Sequence, residues 1–322
     1  LYETTEDLLL SGGRAHRLDA AVLAAEGWLE LAAQTEHVVL VEERVRRLER
    51  ALEVQSRRYE LGEISGSERR QLELEGVRER ASLDLAESRL LVARQQLESL
   101  APGGVFPPAA GDLYRLLEAL GAALPSEADL DSLLSESPYL RLAAHHRAVA
   151  AAEEKVLARN VWGSPEVELE WEHIPGLDGA AGLDAAGFRI GWPLPLGAQG
   201  RQRLAAAQQR VSAEAARSEL LRRELGARLR SHWSTIRLGR AGLGGLEEAA
   251  AQIPETEHSL AEQFRLGAIS YVVFLDGLAR LDELRQGLIE TRHRVLAAQL
   301  EMARLLGAEE FFPLPLEKGA GS

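Results

Sequence analysis

The chain has 322 residues, of which 46% are hydrophobic and 27% charged, so its composition is that of a folded protein. Its formal net charge of −13 argues against a nucleic-acid partner, because phosphate binding requires clustered positive charge. The absence of cysteine excludes disulfides, thiolate metal sites and cysteine nucleophiles. The sequence has no continuous apolar run of about 18 residues and therefore predicts no transmembrane helix.

The first predicted element is a long helical hairpin over residues 11–100. Gly62 interrupts the helical pattern and suits a left-handed helix cap, while Ser65 suits the N-cap of the following helix. At a rise of 1.5 Å per residue, such a hairpin is roughly 60–100 Å long. Apolar residues on both sides of the break follow heptad spacing, which favours coiled-coil packing. These residues are Val41, Val45, Leu48, Leu52 and Tyr59, followed by Leu83, Ala86, Leu90, Ala93, Leu97 and Leu100.

Residues 101–136 are predicted to be a linker, rich in Pro and Gly at first and then carrying short amphipathic helices. Ser137 and Pro138 have the residue types of an N-cap and a first helical position. They predict a helix over residues 137–161.

The apolar period then changes from helical spacing to strict alternation, which predicts a β-hairpin within residues 162–198. Val167, Leu169 and Trp171 alternate with glutamates, and the second strand carries Phe188, Ile190, Trp192 and Leu194 at alternate positions. Residues 173–187 are predicted to be the joining loop. We expect the apolar side chains of both strands to share one face of the sheet. Two interpretations remain open, a strand pair in a membrane barrel wall and a soluble hairpin packed on helices.

A second long helical hairpin is predicted over residues 199–307, followed by a C-terminal tail over residues 308–322. Its break, EQFRLGAIS, repeats the RRYELGEIS of the first hairpin 205 positions earlier. The chain therefore contains a duplicated helix–break–helix unit, and we expect residues 57–65 and 262–270 to lie at one end of the molecule.

Several other features were weighed for function. The GRAGLGG segment (239–245) and Pro254 fall within a predicted helix, where they indicate either a tolerated kink or a point of bending. His145 and His146 are adjacent and do not have the i, i+4 spacing of a helical metal pair, so we expect surface histidines. No nucleophile–base pair, phosphate loop or zinc signature is found, and the sequence predicts no enzyme, no cofactor and no metal site.

Taken together, these motifs resemble the outer-membrane efflux protein family, the TolC-like channels. The resemblance is carried by the duplicated RYELGEIS and QFRLGAIS motif, by SPYLRLAAHHRAVAAAEEKVL (137–157) and by FRIGWPLPLGAQGRQRLAAA (188–207). LLLSGGRAHRLDAA (8–21) is similar to the same pivot in the first repeat. The SGGR and LPLPLGAQGR strings are closer to the heavy-metal efflux branch than to the multidrug branch.

The resemblance implies a mainly α fold with a small β part. Three protomers would form one conduit, with long helical hairpins in a periplasmic α-barrel tunnel and strands in a trimeric outer-membrane β-barrel. Residues 1–10 would be part of a barrel strand, and the family's first helix and first strand have no counterpart in this sequence. The first hairpin is also shorter than the second by 19 residues.

The implied function is the outer-membrane component of a tripartite efflux system, a passive conduit for small molecules or metal ions. Its partners would be two further copies of the chain, a periplasmic adaptor protein, an inner-membrane pump and outer-membrane lipid. The location would be the outer membrane of a Gram-negative-type bacterium, with a large periplasmic portion. The alternative is a periplasmic adaptor or coiled-coil scaffold, which would normally carry one hairpin and not two.

The two hairpin breaks are where the adaptor docks in this family. The resemblance therefore implies docking residues at both breaks, although the chemistry of a helix turn alone also accounts for the two glycines. The implied docking residues are Arg58, predicted to be exposed beside the turn, with Tyr59, Leu61, Gly62, Phe264, Leu266 and Gly267.

Asp276, in YVVFLDGLARLDEL (271–284), resembles an acidic residue that narrows the closed periplasmic end of family channels. Three copies around a threefold axis would form a negative ring that selects cations. The family often has a second acidic residue three positions earlier, and Val273 stands there in this chain. The predicted pore gate is therefore Asp276 with Val273; the alternative is that Asp276 is an ordinary solvated helix residue.

Overall fold

The structure is a computed structural model that describes residues 2–100, 125–159, 166–174, 183–191 and 199–307. By its internal contacts the chain divides into two compact units, Leu1–Arg14 with Pro138–Glu224 and Ala15–Ser137 with Leu225–Ser322. None of the described helices is both long and apolar enough to cross a membrane. The elements are α1 (Tyr2–Glu60), α2 (Gly66–Leu100), a 3-10 turn (Glu127–Asp129), α3 (Leu130–Ser135), α4 (Pro138–Arg159), β1 (Glu166–Ile174), β2 (Leu183–Gly191), α5 (Gln199–Ala251), α6 (Ile253–Arg265) and α7 (Tyr271–Leu306).

In the first unit, β1 and β2 pair antiparallel, and their register confirms the predicted apolar face. Val167 lies opposite Ile190 and Leu169 opposite Phe188, so these side chains share one side of the two-stranded sheet with Trp171. That face is exposed, with Leu169 84% and Phe188 74% accessible. Trp192 and Leu194, which were predicted to extend it, lie outside the described residues.

The opposite face of the hairpin is acidic. It carries Glu166, Glu168, Glu170 and Glu172, and Arg189 contacts Glu168 across the strands at 3.3 Å. The hairpin is therefore apolar on one side and charged on the other.

Two predictions for this unit are wrong, one about the loop of the β-hairpin and one about the N-terminal residues. Residues 173–174 and 183–187 belong to the strands and not to the loop, because the ladder continues until Ile174 pairs with Leu183. Residues 2–10 are helical and form no strand, since α1 begins at Tyr2 and passes without a break through the expected pivot at 8–21. The segment lacks the alternation of apolar and polar residues that β1 has.

In the second unit, α1 packs against α2 on one side and against α7 on the other. Val38 and Val41 of α1 cluster with Ala86 of α2, and Leu29 clusters with Leu300 of α7. Helix α7 also packs on α5, through Val295 and Ala298 against Ile236. The residues predicted from heptad spacing are only partly buried: Tyr59 and Leu100 are exposed, whereas the buried ones are Val41, Leu48, Ala86, Ala93 and Leu97.

The second hairpin is interrupted at Gln252, which separates α5 from α6. Pro254 occupies one of the first two positions of α6, where the missing backbone N–H removes no intrahelical hydrogen bond. The predicted kink is thus a helix boundary.

Glycines in the second hairpin allow helices to approach closely at two points. A Cβ atom on Gly239 would lie 2.3 Å from Cγ2 of Val295, and one on Gly277 would lie 2.9 Å from Cδ1 of Leu260. At the equivalent positions of the first hairpin, Gln55 replaces Leu260 and Leu72 replaces Gly277, and both are buried. The two hairpins therefore fill the same layer with different residue pairs.

We expect Gly239→Ala to lower the free energy of unfolding by about 1–2 kcal/mol, because overpacking costs more than the gain in helix propensity. Gly242→Ala is the matched control: nothing lies within 4 Å of its Cβ position, so it should stabilise the protein by about 0.5–1 kcal/mol. Chemical denaturation followed by circular dichroism measures both. Adding Val295→Ala to Gly239→Ala should relieve the clash, and equal effects of the two single alanines would contradict the close approach.

Candidate docking and gating site at the hairpin ends

Residues 57–65 (the first hairpin end) and 262–270 (the second hairpin end) terminate their helices with the same backbone motif. Gly62 has φ +77° and Gly267 has φ +74°, the left-handed conformation that glycine adopts without strain. In the first hairpin end the N–H of Glu63 donates to the carbonyl of Arg58 at 2.8 Å, and that of Gly62 donates to Tyr59 at 3.0 Å. These two backbone hydrogen bonds together form a Schellman cap.

The second hairpin end repeats that pattern. The N–H of Ala268 donates to the carbonyl of Gln263 at 2.9 Å, and that of Gly267 donates to Phe264 at 3.1 Å. The predicted duplication of the break is therefore confirmed at the level of individual hydrogen bonds.

The following helices begin differently. Ser65 and Glu68 form a reciprocal capping box, in which each side chain accepts a hydrogen bond from the backbone N–H of the other residue. Ser270 accepts from the N–H of Val273 at 3.4 Å, and Val273 has no side chain that can return the bond. Val273 occupies the position where the second acidic residue of the gate was expected, and it is also the equivalent of Glu68. The second hairpin therefore lacks both that carboxylate and the second hydrogen bond of the capping box.

The two hairpin ends lie together, as predicted. The Arg58 guanidinium donates to the carbonyl of Phe264 at 3.2 Å and to that of Arg265 at 3.4 Å. It also lies over the Phe264 ring, 5.6 Å from the centroid. The prediction that Arg58 is freely exposed is wrong: its side chain is only 20% accessible, because the second hairpin end occupies the space beside the turn.

The other predicted docking residues divide by exposure. Leu61 and Leu266, at equivalent positions of the two repeats, are 73% and 70% accessible, and Tyr59 is partly exposed. Phe264 is buried. The leucines are available to a partner, whereas Phe264 belongs to the core.

Below the two ends, each repeat has a ring contact at the same place. Phe264 stacks on Phe274 with the centroids 4.4 Å apart, whereas the equivalent Tyr59 lies beneath the guanidinium of Arg69 at 5.0 Å. The contact between Phe264 and Phe274 is buried, whereas that between Tyr59 and Arg69 faces solvent. Substituting Phe264 and Tyr59 in turn therefore compares a buried ring contact with an exposed one.

The predicted gate residues lie on the first turns of α7. Asp276 is exposed and contacts Arg280 at 2.9 Å, one helical turn later. Val273 is also exposed, while Phe274 and Leu278 on the same helix are buried. The gate residues therefore face away from the core of their own protomer.

Six residues after Asp276 on α7, Asp282 is the centre of an ion-pair network that the sequence did not predict. Its side chain is 3% accessible and accepts hydrogen bonds from Arg44 and Arg47 of α1. Arg44 also contacts Glu79 of α2 at 3.4 Å. The network thus links α1, α2 and α7.

Helix α6 joins the same network through Glu257. Arg285 of α7 binds both carboxylate oxygens of Glu257, at 2.8 and 3.2 Å, and Arg47 of α1 donates to the first of them at 2.8 Å. A two-pronged arginine–carboxylate contact fixes orientation as well as distance. Side chains from four helices are therefore held in one arrangement above the hairpin ends.

One signal of this network is present in the sequence. Glu79 occupies the heptad position shared by Leu72, Ala86 and Ala93, and a charged residue on such a seam requires a buried partner. The partners come from distant segments, and spacing alone does not identify them.

Two titrating groups complete the electrostatics of the hairpin ends. Burial, with a smaller contribution from Glu75, raises the pKa of Tyr271 to about 12. The hydrogen bond from Arg265 lowers the pKa of Glu262. At neutral pH the Tyr271 phenol is therefore neutral, and the Glu262 carboxyl is ionised.

An open groove with a volume of about 580 Å³ runs between α1, α6 and α7 beside the hairpin ends. Its lining contains more arginines than carboxylates, although the whole chain is strongly acidic. The charged lining residues are Arg46, Arg47, Arg50, Arg265 and Arg285 against Glu43, Glu257 and Glu262.

No protein-family model matches the chain, and no curated protein matches it. Its fold is similar to that of the outer-membrane channel OprN, with 14% identity, a TM-score of 0.76 and coverage of 95% of this chain and 69% of OprN. The outer membrane protein VceC from Vibrio cholerae gives 17% identity, a TM-score of 0.75 and coverage of 95% and 74%. CusC, whose structures concern transmembrane channel formation, gives 15% identity, a TM-score of 0.74 and coverage of 94% and 72%. With its duplicated hairpins and its β-hairpin, the chain has the fold of the TolC-like outer-membrane efflux channels, as the sequence predicted.

Proposed function

We propose that the protein is the outer-membrane channel of a tripartite efflux system, and that it acts as a passive conduit and not as an enzyme. The proposal rests on the agreement of two hairpins and one β-hairpin, in the same order, with solved efflux channels over almost the whole chain. An adaptor with a single hairpin inserted in a β-domain does not account for this duplication. The exported cargo would be small molecules or metal ions delivered by an inner-membrane pump.

In this proposal three copies form the channel. Each contributes its hairpins to a periplasmic α-barrel tunnel and its strands to the wall of an outer-membrane barrel. The sidedness of the β-hairpin supports this assignment, since its exposed apolar face suits lipid and its acidic face suits a water-filled interior. Light scattering after size exclusion should give a trimer that requires detergent. A monomer that stays soluble without detergent would contradict the proposal.

A periplasmic adaptor would dock at the two hairpin ends. Both ends belong to one surface, and Leu61 and Leu266 are exposed apolar residues at its turns.

Asp276 and Val273 would form the gate at the periplasmic end. Asp276 is exposed and faces no charged group of its own protomer other than Arg280 among the contacts described for it. Three copies brought near a threefold axis would repel one another, so closure would be held by packing of neighbours such as Phe274 and Leu278.

We expect Asp276→Ala to lower the preference for cations over anions and to weaken block by multivalent cations, without altering assembly. Removing the pairing cation with Arg280→Ala should act in the opposite direction, because it leaves the carboxylate uncompensated. Single-channel recording in planar bilayers measures both. Asp84→Ala, which removes an exposed aspartate from α2, is the control. Unchanged selectivity in Asp276→Ala and Arg280→Ala would remove Asp276 from the gate.

A further inference from the structure

Arg58 connects the two hairpin ends through atoms that a helix normally leaves unpaired. The last carbonyls of a helix have no intrahelical donor, and the helix dipole places partial negative charge on them. Arg58 belongs to the first hairpin end, yet it donates to the carbonyls of Phe264 and Arg265, the last two residues of α6. The carbonyl of Phe264 already accepts from the Gly267 N–H, so Arg58 adds a second, charged donor to the end of the other hairpin's helix.

Three neighbours lie around the guanidinium of Arg58. Nη2 of Arg58 lies 3.0 Å from the position that a Cβ atom on Gly267 would occupy. The ring of Phe264 lies on another side of the guanidinium, and Glu63 approaches its Nε atom at 3.9 Å. A planar cation with several N–H donors fits this place, whereas the point charge of a lysine cannot reproduce both hydrogen bonds and the ring contact.

The second hairpin end has no equivalent of this Arg58 contact among the described hydrogen bonds. The residue equivalent to Arg58 in the second hairpin end is Gln263, which donates to Ser259 of its own helix at 3.1 Å. Among the hydrogen bonds described for the two turns, those of Arg58 run from one turn to the other.

We infer that Arg58 is a positioning residue that makes the two hairpin ends one unit and fixes the spacing of the exposed Leu61 and Leu266. Its meaning for docking rests on the proposed function. A partner that binds both leucines at once loses less conformational entropy when their spacing is already fixed. The surface presented to an adaptor is then a single two-part site and not two independent loops.

The absence of native cysteine allows a direct test by spin labelling. Glu60→Cys and Ala268→Cys introduce labels at two exposed positions, one in each hairpin end. Pulsed electron paramagnetic resonance on the protein in detergent should give a narrow distance distribution. Arg58→Gln should broaden the narrow peak, although the buried cluster of Leu48 and Leu72 with Phe264 still joins the two hairpins, and Arg58→Lys should restore the narrow peak only in part.

Two controls separate this role from general support of the fold. Arg57→Gln changes the adjacent, exposed arginine and should leave the distribution narrow. A second label pair within the first hairpin end, Glu60→Cys with Ser67→Cys, should give the same distances with and without Arg58. Neither measurement needs transport or a partner, so failure of the channel proposal would leave the result intact. An unchanged inter-end distribution in Arg58→Gln, or a change equally large within the first end, would overturn the inference.

Discussion

Asp282→Ala should lower the free energy of unfolding by about 1–3 kcal/mol, because it takes a buried carboxylate partner from the half-buried Arg44 and Arg47, while Glu79 and Glu257 still pair with them. Asp282 receives hydrogen bonds from Arg44 and Arg47 and lies 3.7 Å from Arg285. Removing it should loosen α1 from α7, the two helices that it joins. Chemical denaturation of the protein in detergent measures the loss.

Asp276→Ala is the matched control for this prediction. Asp276 lies six residues earlier on the same helix, is exposed and has one i, i+4 contact with Arg280. Exposed pairs of this kind contribute about 0.5 kcal/mol or less. A small effect of Asp282→Ala, similar to that of the control, would show that water reaches Arg44 and Arg47 and that the network is not buried in solution.

Phe264→Ala is expected to lower the free energy of unfolding by about 3–5 kcal/mol through the loss of a buried ring and the cavity that remains. Phe264 is buried in a cluster with Leu48, Ala51, Leu72 and Phe274, and its stacking on Phe274 adds about 0.5–1.5 kcal/mol beyond burial. The same substitution removes the ring beneath Arg58. Denaturation curves measure the loss.

The equivalent substitution in the first repeat, Tyr59→Ala, provides the comparison. Tyr59 is 43% exposed, and its contact with Arg69 is an exposed cation–π pair, for which about 0.5–1 kcal/mol is typical. We therefore expect a much smaller loss than for Phe264. Equal losses at the two positions would mean that the first hairpin end is covered in solution.

The sequence allowed prediction of those features that depend on local residue chemistry. Gly62 and Gly267 indicated left-handed caps, Ser65 and Ser270 indicated the next N-caps, and the alternation around Leu169 indicated a strand. Each of these follows from neighbours within a few residues, because capping and strand sidedness are local properties. Their repetition in the same order was enough to indicate the fold.

The features that the sequence did not predict depend on contacts between distant segments. The ladder at residues 183–187 extends through Ala, Ala and Gly, which have no strong strand preference, because β1 is long enough to pair with them. Residues 2–10 were assigned to a strand from a family pattern and not from their own period. Arg58 was predicted to be exposed because nothing near it in sequence shows that the second hairpin end lies against it.

The two hairpins pack different residue pairs at equivalent core positions, and this difference limits the exchange of segments between the repeats. Leu260 touches the space that a side chain on Gly277 would occupy, whereas the first hairpin has Gln55 and Leu72 at these places. Restoring a leucine at 277 alone would create a clash with Leu260. We therefore expect a segment transferred from one repeat to the other to be tolerated only when it carries both positions.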